Sequence, residues 1–306
     1  MYKELEIIRP KSSPFKLIQI GGNGDGGYLV PDNLENIESC FSPGVNEIKF
    51  FEDDLCKRFG IKCHMCDFST DITKVKTDLI ENLQTFEKKW LDPSHSKINM
   101  SLEAWINKYS PNKEDDLLLQ MDIEGAEYEN LLSTTDKTMK RFRIIVIELH
   151  GLFKFRKPLL MQRYLGPTLH KLDRNHICIH AHPNNCCGEF IEKNTGINIP
   201  EVIELTFLRR DLFKEFKEKD LILPKSPHEL DIEYNVKSNE PIYLNENWFK
   251  GKLCKQKNTT KFADKLYYKY KFLEITLRGL VGLTNKNTMR NLSKIKRKLM
   301  KIFNIQ

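Results

Sequence analysis

The chain reads as an α/β protein built on a central, mostly parallel sheet with helices on both faces. DLLLQMD at 116–122 and RIIVIELH at 143–150 are short, nearly unbroken apolar runs, which suit strands buried on both sides. SCFSPGV, EIKFFEDDLCKRFG and IKCHMCDF, together spanning 39–68, read as strand, helix and strand, a β-α-β unit. Asp67, Asp122 and His150 then fall at the ends of predicted strands, where open α/β sheets gather ligands.

The elements follow in order. Residues 1–36 read as an irregular entry segment around Gly21, Gly22, Gly24, Gly26 and Gly27, glycines that allow positive φ and close backbone approach. The first strand ends in the Pro43-Gly44 turn, and the helix of 47–60 stops at Gly60. Ile72, Val75, Leu79, Leu83 and Phe86 recur at helical spacing and predict a helix over 71–89. After the DPSHS turn at 92–96, Ser101 caps a short helix over 101–109. EGAEYENLLST is a helix after the 116–122 strand, and LLMQRYLGPTLHKL at 159–172 is helical up to its Gly-Pro break. ICIHAH at 177–182 and EVIELTFLRRD at 201–211 complete the sheet. These elements give an entry segment at 1–36, an α/β domain at 37–212, an arm at 213–254 that wraps back on it, and a basic helical tail at 255–306.

Composition sets further bounds. No run of about twenty apolar residues occurs, and MYKELEIIRPKSS lacks the apolar core of a signal peptide, so the chain is expected in the cytoplasm. Eight cysteines spread over 306 residues are expected to be reduced thiols, and Cys63 with Cys66 has no second CxxC to complete a zinc site. Of the total charge of +7, the stretch 255–306 holds fourteen Lys and Arg against Asp264 and Glu274, a net of +12 that leaves the remainder at −5. Its segments 261–283 and 291–303 are amphipathic and aromatic or basic, a pattern that fits a helical hairpin, an oligomer interface or the surface of an anionic membrane. A nucleic-acid role for this charge lacks a base-reading motif.

Four separated segments carry a family resemblance. LQMDIEGAEYENLL, IIVIELHG at 144–151, IGGNGDGGYLVP at 20–31, and IHAHPNNCCGEF at 179–190 with VIELTFLRRD at 202–211 resemble the FkbM-like methyltransferases. The resemblance spans about Leu17 to Asp211. It implies a Rossmann-like fold and transfer of a methyl group from S-adenosylmethionine to a hydroxyl, with a saccharide or other polyhydroxylated acceptor. It also implies that the glycine-rich element is a lid, with Asp25 and Tyr28 as contacts, and that the HPNN element lies on the acceptor side.

The residues themselves specify chemistry. A nucleotide cofactor needs a tight turn after the first strand and an acid after the second, and Ser42 with Gly44 and then Asp67 provide these. Phe68, Ser101 and Leu102 are expected in the adenosine pocket. No GxGxxG lies between the first strand and its helix, which argues against nicotinamide. Removal of the acceptor proton needs a base or a divalent cation. His150 can serve as the base. Asp122, His150 and His182, taken as the ends of three adjacent strands, can hold Mg, Mn or Fe. Glu124, His180, Asn184 and Asn185 are the expected acceptor contacts. A metal-dependent hydrolase could use the same Asp and His words, and would be told apart by ignoring S-adenosylmethionine.

Overall fold

Residues 2–94, 96–192, 196–214 and 227–249 are described in a computed structural model of the chain. Contacts divide the chain into one unit of 1–156 with 160–255 and another of 157–159 with 256–306, and every element named below belongs to the first. The tail helices expected at 261–283 and 291–303 lie outside the described residues.

Seven strands form the main sheet: β3 (Ile37–Pro43), β4 (Lys62–Cys66), β5 (Gln84–Glu87), β8 (Asp116–Met121), β9 (Phe142–Leu149), β10 (His176–Ile191) and β11 (Asn198–Arg209). Their order is β10-β11-β9-β8-β3-β4-β5. β11 runs antiparallel to both neighbours, and the pairings from β9 across to β5 are parallel. Apolar runs at its centre bury both faces. On β8, Leu117 and Leu119 pack into one core with Ile145 and Ile147, while Leu118 packs into the other with Ile144 and Val146. Each such side chain contributes roughly 1.5–3 kcal/mol by burial, so the sheet centre is the stable part of the molecule.

The helices flank this sheet. The first helix, α1 (Tyr2–Ile8), and a two-stranded ribbon of β1 (Leu17–Ile20) and β2 (Tyr28–Pro31) replace the irregular segment expected at 1–36. Next comes α2 (Phe50–Phe59), closed by Gly60 at φ 69°. Two short strands, β6 (Trp90–Leu91) and β7 (Asn99–Met100), precede α3 (Leu102–Tyr109), which is capped by Ser101 Oγ on the Ala104 N–H as the sequence indicates. After β8 comes α4 (Glu127–Ser133).

Two expectations fail for identifiable reasons. No long helix forms over 71–89. A single 3-10 turn at Ile72–Lys74 is followed by irregular chain and then β5, which pairs with the open edge of β4. Leu79 is exposed, so the apolar stripe had no face to bury, and edge pairing satisfied the backbone instead. Nor does Gly166-Pro167 end a helix. A π-helical turn at Met161–Leu165 leads into a helix at Gly166–Asn175, with the proline in its first turn, where a missing N–H costs nothing.

Cys63 and Cys66 lie in β4 as buried free thiols, three residues apart and therefore on opposite faces of the sheet. Among the described residues no helix is long and apolar enough to cross a membrane.

Candidate active site

From β3 the chain proceeds outward to β4 and β5, then returns to β8 on the other side of β3. Strand order reverses there, and a crevice opens beyond the strand ends. A cavity of about 340 Å³ occupies it, lined by the turns after β3, β4 and β8 and roofed by Asp25, Gly26 and Tyr28. Gly44 sits at φ 86°, and a Cβ placed on it would lie 1.6 Å from the Asp122 carbonyl oxygen. The two loops therefore touch through bare backbone, which requires glycine at this position.

Asp67 lines the cavity, whereas Ser42 is fully buried and does not. The Ser42 hydroxyl meets both Glu52 Oε1 and Gln120 Oε1, the latter at 2.6 Å. Asp67 accepts from the Asn46, Ser69 and Thr70 N–H groups and from the Ser69 and Thr70 hydroxyls. Burial alone would raise its carboxyl, but the bonds from Ser69 and Thr70 hold it below the usual range. Asp67 thus builds the loop it was expected only to decorate.

The adenosine-side expectations are partly displaced. Ser101 and Leu102 cap and anchor α3 and do not line the cavity. Phe68 also lies off the lining, but its ring packs 5.4 Å from that of Trp90, which is on it and 45% exposed. Trp90 escaped the sequence reading because it falls where a helix end was expected.

At the other end, the loop after β8 carries the acids. Glu124 takes a positive φ of 55°, costly for a side chain with a Cβ, and Gly125 follows at 102°. Glu127 stabilises this loop. Its Oε1 accepts from the N–H groups of Ile123 at 3.2 Å and Gly125 at 3.0 Å, and it also meets His150 Nδ1 at 3.0 Å. A carboxylate offers only lone pairs, so Nδ1 carries the proton, and in the neutral imidazole Nε2 keeps its own lone pair. That Nε2 lies 3.7 Å from Asp122 and 3.6 Å from Glu124, two residues of the cavity wall. His150 itself stands just outside the lining, behind them.

The electrostatics follow from this packing. Burial pulls the His150 pKa down, but the Glu127 bond and the charges of Glu127, Asp122 and Glu124 outweigh it, leaving a net rise. Burial pushes the Asp122 carboxyl up to about 6, opposed by His150. Glu127 is fully buried and was missed by sequence reasoning; the only signal was its place as the third acid of Asp122-Ile123-Glu124-Gly125-Ala126-Glu127.

His182 does not join Asp122 and His150. β11, last in the chain, inserts between β9 and β10, so the three strand ends are not adjacent. Glu204 occupies the intervening place, opposite Glu148 on one side and His182 on the other. Burial raises both glutamates well above the ordinary range, and their neighbouring acids add to it. Asn184 donates to Glu148 at 2.7 Å. His182 Nε2 instead meets Asn235 Oδ1 at 3.2 Å, and His180 Nε2 meets Asp231 at 2.8 Å. The Asn185 amide group donates to the carbonyls of Val236, Asn239 and Glu240 and accepts from the Asn235 and Val236 N–H groups. His180, His182 and Asn185 thus fasten the arm. Among the described residues, the grouping able to share a cation is Asp122, Glu127 and His150, with ligand atoms within 4.8 Å of one another.

No curated protein matches the chain as a relative. Residues 85–176, from β5 to the start of β10 and including the Asp122 loop and His150, match the family model described as Methyltransferase FkbM domain, a match that supports an FkbM-like methyltransferase family.

Proposed function

We propose that the protein transfers a methyl group from S-adenosylmethionine to a hydroxyl of a saccharide or related polyhydroxylated acceptor, with His150 taking the proton. One observation carries the proton assignment: Glu127 fixes the His150 ring so that its free Nε2 faces the Asp122 and Glu124 rim of the cavity. The cofactor reading is supported by the bare Gly44 turn, the cavity above it and Asp67 at the next strand end. A cavity of this size is in the range that holds nucleotide-sized ligands.

Methyl transfer to oxygen is an in-line displacement, so the acceptor must be oriented and its hydroxyl proton removed as the bond forms. The bound cofactor supplies the electrophilic methyl. Glu124, with Asp122, is suited to accept hydrogen bonds from acceptor hydroxyls at the rim, and neutral His150 Nε2 receives the proton. Glu127 stabilises the resulting imidazolium. Calorimetry with S-adenosylhomocysteine is the test, and a folded wild-type protein that fails to bind it overturns the methyltransferase mechanism and leaves a hydrolase as the rival.

A cation is the second reading, favoured by the close approach of Asp122, Glu127 and His150. Two carboxylates and an imidazole suit Mg, Mn or Fe, and such an ion would supply Lewis-acid stabilisation of the acceptor oxygen. Activity in excess EDTA separates the two. For the basic tail we propose attraction to anionic membranes, supported by its net +12 and amphipathic pattern. Truncation after Cys254 is expected to weaken salt-sensitive binding to anionic vesicles and to spare cofactor binding.

A further inference from the structure

The long strand β10 breaks step with β11 where it passes the arm. Asn184 pairs with Val202 and Glu189 with Pro200, so Asn185, Cys186, Cys187 and Gly188 stand opposite Glu201 alone and bulge from the sheet. Gly188 takes a φ of 78°, and a Cβ placed on it would meet nothing within 4 Å, so the tip of the bulge has open space around it. Its base is fixed. The Cys186 N–H donates to Asn184 Oδ1 at 2.9 Å, and the Cys186 carbonyl accepts from Asn239 Nδ2 of the arm at 3.1 Å. Cys187 is exposed and Cys186 half-buried, whereas Cys40, Cys56, Cys63, Cys66 and Cys178 are all buried. The two bulge thiols hydrogen-bond to each other, and the charges of Glu148 and Glu124 reach Cys186 from beside His150.

The geometry points to Cys186 and Cys187 as a dithiol site that captures a trivalent, thiophilic metalloid, with an arsenical bearing one organic group as the ligand class. The site is independent of the methyl-transfer reading. Zinc closes with four ligands, and among the described residues no third group joins these thiols within coordinating reach. A direct disulfide is strained, because consecutive Cα atoms lie about 3.8 Å apart and a relaxed bridge wants roughly 4.4–6.8 Å. An atom set between the sulfurs lengthens the ring and relieves that strain. An arsenic centre that already carries an organic group has its remaining valences free for the pair of sulfurs. In the capture step both As–S bonds form and the As=O bond breaks, and the oxygen leaves as water with the protons of the two thiols. Nothing is oxidised or reduced. The reaction also suits Cys186, whose thiol is pushed up by burial, by the Cys187 hydrogen bond and by the nearby acids. It stays protonated, a poor nucleophile toward reagents that need a thiolate.

Phenylarsine oxide is the probe, titrated into the reduced full-length chain carrying Cys254→Ser, since Cys254 lies outside the described residues. A single equivalent is expected to bind, to persist against excess 2-mercaptoethanol, and to leave on addition of 2,3-dimercaptopropanol, because paired sulfurs on one arsenic hold it as a chelate. Cys186→Ser and Cys187→Ser are each expected to weaken retention against the monothiol by about 100-fold or more. Loss of the probe from the parent chain to monothiol, or retention by either serine variant equal to the parent's, overturns the proposal. Should a serine variant not fold, alkylation mapping of the parent chain decides. Bound arsenical is expected to shield Cys186 and Cys187 together from a maleimide, and any other pattern of shielding overturns the site.

Discussion

Two strand ends in this molecule carry nearly the same words and have different duties. Glu148-x-His150 closes β9, and His180-x-His182 lies along β10. At the first, Glu127 turns His150 toward a cavity. At the second, Asp231 and Asn235 of the arm occupy both imidazoles, beside a void of about 10 Å³, room for a single water. The difference arises from what covers each end rather than from residue type. A mobile-looking acid-and-histidine word is a site only where no other part of the chain completes its hydrogen bonds.

The sharpest way to break this comparison is to remove each histidine. His150→Ala is expected to lower turnover by about 10²- to 10⁴-fold, the usual share of a positioned base, with affinity for S-adenosylhomocysteine nearly unchanged. His182→Ala is expected to leave turnover within about threefold and instead lower stability in urea by roughly 1–3 kcal/mol, because the Asn235 Oδ1 loses its partner. A large turnover loss from His182→Ala would make the two ends equivalent and undo the distinction.

Glu127→Gln sharpens the first half. It should lower turnover about tenfold or more through loss of ring orientation and imidazolium stabilisation. The sign of its pH effect follows from His150. Its pKa is raised in the fold, largely through Glu127, and the base must be neutral, so wild-type activity climbs with pH through that raised value. Removing the carboxylate lowers the His150 pKa, and the acid limb of the kcat/KM profile moves to lower pH. A limb that stays in place means His150 is not the titrating base.

Asn185→Ala sharpens the second half, since it removes the amide that meets five backbone groups of the arm. Stability is expected to fall by about 1–3 kcal/mol, and residues 235–240 should become sensitive to limited proteolysis, with cofactor affinity retained. The smallest expected effect is that of a chelator. Activity in excess EDTA should match the untreated value, and a loss restored by Mg or Mn would place a cation between Asp122, Glu127 and His150.

The parallel sheet was legible because burial on both faces leaves an unmistakable apolar run at β8 and β9, and the Gly44 turn and Asp122 loop were legible because strand ends in such sheets are where ligands gather. Strand order was not. Nothing local in EVIELTFLRRD says that β11 slips between β9 and β10, and that insertion separates His182 from His150. The amphipathic spacing of 71–89 misled for a related reason, since helical periodicity promises a buried face and only the fold decides whether one exists. Glu52 and Glu127 were hidden because a buried acid has the same letters as a solvated one in the first turn of a helix.

The contact between Gly44 and the Asp122 carbonyl has a kinetic meaning. The turn after β3 and the loop that carries the acids and leads to the Glu127 bond meet with no side chain between them. Affinity and turnover then share a single coordinate, and a substitution such as Gly44→Ala should not be able to move one while sparing the other. On the proposed reading, a methyl donor bound at the Gly44 turn is sensed directly by the loop whose Glu127 orients His150.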